Sequence, residues 1–182
     1  MQKIPTMFVR DESKKGHPVM LAIKTECQWV LDGEGVATAK LDGTNVKIEN
    51  GQLLKRQKPL NGDYDEACYV PCDRANPADK WAFEAFDALA TKGDGIYELV
   101  GPKVQGNPHG YRGHVLELVV PPGEMVMALE LGPADLSFDG LREWLSRSPF
   151  EGIVFHHPDG RMAKIKRRDF GLPWPIRVEA RG

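Results

Sequence analysis

Cysteine is scarce: Cys27, Cys68 and Cys72 are the only three in 182 residues. An odd count, with no apolar leader across Met1 to Phe8, argues against a disulfide scaffold. A reducing, cytoplasmic compartment is expected. Cys68 and Cys72 stand four positions apart with no second Cys or His pair nearby. That is not a common zinc spacing, so they read as free thiols. No apolar run approaches the roughly 20 residues that cross a bilayer, so no membrane partner is expected. A large charge of one sign is missing too: 24 Lys and Arg stand against 26 Asp and Glu, a net charge of −2. A polycation is excluded, and any nucleic-acid contact must come from a local basic patch. Repeats and low-complexity segments are absent, and the 19 Gly and 14 Pro are spread along the chain rather than pooled in a linker. One turn-rich domain spanning residues 1–182 is the expectation.

The punctuation places the elements. Val36 to Leu41 reads as a strand followed by Asp42-Gly43, a turn signal. Asn45 to Glu49 alternates, with Val46 and Ile48 on one face, and Asn50-Gly51 returns the chain as Gln52 to Gln57. These three strands are expected to form one antiparallel meander. Asn76 caps a helix that begins at Pro77 and stops at Gly93, with Trp81, Ala85, Ala88 and Leu89 on one side. Gly95 to Val100 and Met125 to Leu131 read as strands. Ser137 caps a second helix with Phe138, Leu141 and Leu145 inward. Gly152 to His156 and Arg161 to Lys166 flank the turn Pro158-Asp159-Gly160. The fold class is α+β, built on antiparallel sheets with flanking helices.

Four clusters set charge beside turns and apolar strands. In Ala39-Lys40-Leu41-Asp42-Gly43 the lysine is either a solvated hairpin residue or one held rigidly in a cleft. Glu98, in Tyr97-Glu98-Leu99-Val100-Gly101-Pro102-Lys103, is either an edge-strand acid or a ligand for hydroxyls. Glu151 leads the apolar strand Gly152-Ile153-Val154-Phe155, as a cap or as a site residue. Lys164 and Lys166 stand two apart and share a strand face. Their ammonium groups repel unless an anion such as phosphate lies between them, or unless the strand is a solvated basic edge.

Taken in order, these clusters resemble the covalent nucleotidyltransferases, the superfamily of ligases and capping enzymes. Lys40-Leu41-Asp42-Gly43 matches its Lys-x-Asp-Gly nucleophile motif, and Arg56, Glu98, Glu151-Gly152-Ile153-Val154 and Lys164-Ile165-Lys166 follow in sequence. The strings Tyr97 to Pro108 and Gly171-Leu172-Pro173-Trp174-Pro175 are similar to a family of compact ATP-dependent 5′-to-3′ RNA ligases that has vertebrate members. The resemblance covers residues 30–176. It implies the ligase adenylation-domain (ATP-grasp-like) nucleotidyltransferase fold. It implies ATP and Mg2+ (or Mn2+), and RNA ends bearing a 5′-phosphate and a 3′-hydroxyl as partners. Lys40 would take AMP. Asp42 and Gly43 would shape its turn, and Ala39 would offer backbone contacts near the base. Arg56 would meet the ribose and the incoming 5′-phosphate, Glu98 the ribose hydroxyls, and Lys164 and Lys166 the α-phosphate. Glu151 would hold magnesium through water.

The implied reaction has three steps: lysine attack on ATP, transfer of AMP to an RNA 5′-phosphate, and displacement of AMP by a 3′-hydroxyl. A free lysine titrates near 10.4, so about one in a thousand is neutral at pH 7.4. Surrounding cations favour the neutral amine and stabilise charge on the phosphoryl oxygens. Magnesium keeps waters and needs only one or two carboxylates, so no run of acids is required. Lys103, Arg112, Arg161, Arg167 and Arg168 are candidate RNA-phosphate contacts, and Trp174 either covers the site or packs. Sixteen residues follow Lys166, too few for the appended OB domain of larger ligases, so none is expected. Two alternatives remain at this level: a DNA or nick-sealing ligase, and a non-catalytic RNA-end-binding module. Retention of Lys40 argues against the second, since a binder has no need of a nucleophile.

Overall fold

The computed structural model describes residues 4–57, 68–119 and 132–176. In chain order these residues form β1 (Phe8–Arg10), β2 (Val19–Ile23), α1 (Gln28–Leu31), β3 (Val36–Lys40), β4 (Thr44–Glu49), β5 (Gln52–Gln57) and β6 (Cys68–Pro71). There follow α2 (Lys80–Ala88), β7 (Gly95–Val100), β8 (Val115–Val119), α3 (Phe138–Arg147), β9 (Gly152–His156) and β10 (Met162–Lys166). The described strands pair antiparallel, giving the α+β class that the turn signals predict. The chain divides into two compact units. Among the described residues, one lies within 41–119 and the other combines 4–40 with 132–176. The predicted strand Met125 to Leu131 lies outside the described residues.

In the second unit β9 is the centre of a three-stranded sheet, ordered β10-β9-β3. Alternation sorts its faces. Ala37, Ile153, Phe155, Ala163 and Ile165 pack into a core with Trp29, Leu141 and Leu145. The other face carries two cross-strand rows, Lys40–Gly152–Lys166 and Thr38–Val154–Lys164. Ser137 Oγ accepts the Gly140 N–H at 3.1 Å, capping α3 as its position predicts. Burying Leu141 and Leu145, both fully enclosed, stabilises this face by roughly 2 kcal/mol per side chain.

The first unit is a five-stranded sheet ordered β6-β5-β4-β7-β8, with α2 over one face. Val46, Ile48, Leu53, Tyr97, Leu99 and Leu116 meet Ala82, Ala85 and Phe86 in its core. Asn50 and Gly51 both have positive φ, 51° and 74°, as a two-residue hairpin turn of this sequence requires.

Two expectations need correction. The meander is broken at its first strand: β3 pairs with β9, whereas β4 pairs with β5 and β7. Asp42-Gly43 is therefore a crossover rather than a hairpin turn. Gly43 lacks a positive φ, and what demands glycine there is space: a Cβ would meet the Leu99 carbonyl oxygen at 2.3 Å. The first long helix stops at Ala88 instead of Gly93, because Leu89 turns extended (φ −67°, ψ 125°). Asn76 does cap its entry, its side chain accepting the Ala78 N–H at 3.0 Å.

Candidate active site

Lys40 ends β3 directly across from Gly152, and Lys166 ends β10 across from the same glycine. Glu151 lies one residue before that glycine. Its carboxylate accepts from Lys40 Nζ at 2.5 Å and lies 3.7 Å from Lys166 Nζ. Glu151 is buried (6% exposed), while the lysine side chains keep 24% and 26% of their surface. A buried carboxylate is tolerated when paired, and here one anion serves two cations. Lys164 stands two residues before Lys166 on the same face. Three of the residues expected to surround a nucleotide's α-phosphate, together with the expected metal ligand, thus share one sheet. Ala39 alternates with Lys40 and pairs with Ile153, so its methyl lies on the apolar side.

Gly152 makes this crowding possible. A Cβ there would lie 2.3 Å from the Ile165 carbonyl oxygen and 3.0 Å from Lys166 Cα. His156, two rows along the same face, is buried, and its Nε2 lies 2.9 Å from Thr38 Oγ1. Its Nδ1 has no hydrogen-bond partner. Burial pushes its proton affinity below the ordinary imidazole value.

In the first unit, the residues after Lys40 are gripped by side chains from residues 97–110. The Gly43 N–H donates to Glu98 Oε1 at 3.0 Å, and the Asp42 N–H donates to His109 Nε2 at 2.8 Å. Gln105 Nε2 donates to the Gly43 carbonyl at 3.4 Å. The loop holding His109 is pinned in turn by Asn107, which bonds both backbone groups of Tyr111 at 2.9 Å. His109 and Gln105 have no role in the sequence reading. Gln105 lies in the string Tyr97 to Pro108 and His109 directly follows it, and in that string only the glutamate had an evident chemistry.

On the sheet face opposite α2, Glu98 pairs across strands with Asn45 on one side and Glu117 on the other. Tyr69 donates to Asn45 Oδ1 at 2.6 Å and pairs with Arg56, which is exposed. Tyr111 donates to Glu117 at 3.0 Å. Burial first, then that carboxylate, push the Tyr111 hydroxyl up to about 12, and burial likewise raises Tyr69. Both phenols therefore remain protonated donors at neutral pH.

Among the candidate RNA contacts, Lys103, Arg112, Arg161 and Arg168 are exposed. Arg167 is not. It is 3% exposed, and its guanidinium donates to the carbonyls of Leu145, Ser148 and Pro173. Two of those carbonyls terminate α3, where a cation suits the helix dipole. Arg167 is a tether, and the expectation that it touches RNA or solvent is overturned. Trp174 is buried, in line with packing. Cys68 and Cys72 are free thiols, and burial raises Cys72 to about 11, far from a reactive thiolate. Among the described residues no three His, Cys, Asp or Glu side chains converge as metal ligands. Glu151 is a carboxylate that could hold a magnesium ion, since that ion keeps its waters and needs only one or two such ligands. Among these residues no helix is long and apolar enough to cross a membrane.

A family model described as RNA ligase 1 matches residues 76–180, more than half of the chain, and the chain belongs to that family. Glu98, His109, Glu151, Lys164 and Lys166 fall within the match, while Ala39 to Gly43 and Arg56 precede it. The chain is 37% identical over 84 residues to RNA ligase 1 of Danio rerio, 36% over 84 to that of Pongo abelii and 33% over 85 to that of Rattus norvegicus. Each match covers 43% of this chain and 25% of the relative. The chain thus spans about a quarter of the length of the curated relatives it matches.

Proposed function

We propose that this chain is an ATP-dependent RNA ligase of the covalent nucleotidyltransferase kind, with Lys40 as nucleophile. The observation that carries the reading is the Lys40–Glu151–Lys166 cluster at one end of the β10-β9-β3 sheet, with Lys164 beside it. Family membership and the relatives named RNA ligase 1 support the RNA substrate.

Without nucleotide, Glu151 pairs with Lys40 and lies 3.7 Å from Lys166 Nζ. With ATP bound, phosphate oxygens compete for the ammonium groups of Lys164 and Lys166, and the cations around Lys40 favour its neutral amine. The Nζ proton passes to solvent as the amine becomes neutral. The amine then attacks the α-phosphorus: an N–P bond forms, the P–O bond to the leaving pyrophosphate breaks, and lysyl-AMP results. Lys164 and Lys166 stabilise charge on the phosphoryl oxygens as the bond changes hands. A magnesium ion held by Glu151 would supply further neutralisation of phosphate charge. Glu98 takes the ribose hydroxyls and Arg56 the ribose and the incoming RNA 5′-phosphate. AMP then passes to that phosphate, and an RNA 3′-hydroxyl displaces it to seal the strand.

The test uses ATP labelled at the α-phosphate. Wild type acquires one AMP, and Lys40→Ala acquires none. Equal labelling of the two proteins sinks the assignment of Lys40. Chasing the labelled enzyme with 5′-phosphorylated RNA should move the label to RNA and yield joined product. Joining of all-DNA ends with none of RNA would replace this reading with a DNA ligase.

A further inference from the structure

The strand that carries both lysines is held from outside the sheet. Along its open edge the N-terminal segment forms a short parallel bridge. The Lys164 N–H donates to the Pro5 carbonyl at 2.9 Å, and the Met7 N–H donates to the Lys164 carbonyl at 2.9 Å, with Thr6 facing Lys164. At its end, Asp169 Oδ2 accepts the backbone N–H of Lys166 at 2.8 Å, while Oδ1 accepts from Arg10 Nη2 at 2.5 Å. The same guanidinium nitrogen reaches Thr6 Oγ1 at 3.1 Å. Asp169 is 2% exposed and Thr6 7%.

This linkage is closed. Arg10 ties the carboxylate that fixes Lys166 to the threonine that faces Lys164. The Asp169–Lys166 bond caps the turn Arg167–Phe170, and a buried carboxylate needs such partners in any fold; the cap alone does not account for the second link, through Arg10 to the threonine bridged to Lys164. We propose that Asp169 and Arg10 are positioning residues for the phosphate-binding lysines, setting the height and twist of the β10 end so that both ammonium groups meet one phosphate. The proposal rests on the reading that Lys164 and Lys166 contact the α-phosphate. It gives the segment 5–10 a role in adenylation although it contributes no side chain to the phosphate.

The experiment is single-turnover adenylation of the full chain, with α-labelled ATP and magnesium at saturation, for wild type, Asp169→Asn, Arg10→Ala, Arg10→Lys and Lys40→Ala. Two quantities are read: the fraction of protein finally labelled and the rate constant of labelling. A purely structural role lowers the labelled fraction, since unfolded molecules do not react, and leaves the rate constant of the folded ones alone. Mispositioned lysines do the reverse. Asp169→Asn should keep the final fraction and slow the rate constant on the order of 10–100-fold, the range for a misplacement near 1 Å. The half-saturating ATP concentration should move far less. Arg10→Ala should follow it, and Arg10→Lys, which keeps one charged donor, should recover part of the rate. If Asp169→Asn and both Arg10 variants label at the wild-type rate constant, or lose only labelled fraction, the positioning role is overturned while the assignment of Lys40 stands. If wild type itself takes no AMP, the ligase reading falls and this proposal with it.

Discussion

Gly152→Ala is the smallest change that should disturb the site. The added methyl would lie 2.3 Å from the Ile165 carbonyl oxygen and 3.0 Å from Lys166 Cα. Carbon and a carbonyl oxygen ordinarily approach to about 3.3 Å, so β9 and β10 must part by about 1 Å. The obstructing atom is backbone, and no rotamer change relieves it. Overpacking of this kind costs about 1–3 kcal/mol. The same parting displaces Lys166 from Glu151 and opens the row that ends on Lys40. A shift near 1 Å at reacting groups costs about 100-fold in rate. Gly113→Ala is the control, because a Cβ at 113 meets nothing within 4 Å. Urea denaturation measures the first effect, and the rate constant of AMP labelling at saturating ATP measures the second. A Gly152→Ala protein within about 0.5 kcal/mol of wild type, labelling at the wild-type rate, would refute the claim that this glycine sets the spacing of the lysines. Lost stability with an unchanged rate would keep the clash but remove its link to chemistry.

His109→Ala deprives the Asp42 N–H of its acceptor and should slow adenylation, whereas His109→Gln, whose Oε1 can accept in its place, should retain most of the rate; equal rates for the two variants would dismiss the contact. Arg167→Ala removes the donor to the carbonyls of Ser148 and Pro173 and one of two donors to that of Leu145, which keeps the Ser148 N–H; it should cost about 2 kcal/mol or more, so a loss below about 1 kcal/mol in urea denaturation would refute its tethering role. His156 is held neutral by burial, so the unfolded state binds more protons and stability falls as pH drops from about 6.5 toward the folded value, by at most about 1.4 kcal/mol per unit. Unfolding free energies between pH 8 and 5 should show this loss in wild type and less of it in His156→Gln; parallel curves would contradict it.

The parts of the fold that were legible in the sequence are the ones fixed by neighbours in the chain. Asn50-Gly51, the Ser137 cap and the Pro158-to-Gly160 turn each state their geometry within a few residues, and each forms where expected. The partner of Val36–Lys40 was not legible. Alternation tells which face a side chain takes, never which strand lies alongside, and the nearest candidate, β4, proved to belong to another sheet. The Asp42-Gly43 signal misled for a related reason. Glycine is wanted both for positive φ and for close approach, and the sequence does not say which.

Arg167 shows a signal that was present and outweighed. Ala163, Ile165 and Arg167 share one parity, and all three are buried. The alternation that sends Lys164 and Lys166 to the open face sends Arg167 to the core side. The run Lys166-Arg167-Arg168 is basic as a block, and charge type alone points Arg167 outward where register points it in. A buried arginine remained physically possible because three carbonyls wait there, two of them at the end of a helix whose residues lie some twenty positions earlier. Gly152 teaches the converse. In the string Glu151-Gly152-Ile153-Val154 it carries no functional group, so only its neighbours drew a role. Yet it is the one residue paired to both Lys40 and Lys166. Its missing side chain is what lets a single carboxylate, one residue upstream, reach both ammonium groups, which makes the glycine as much a part of the site as the acid it follows.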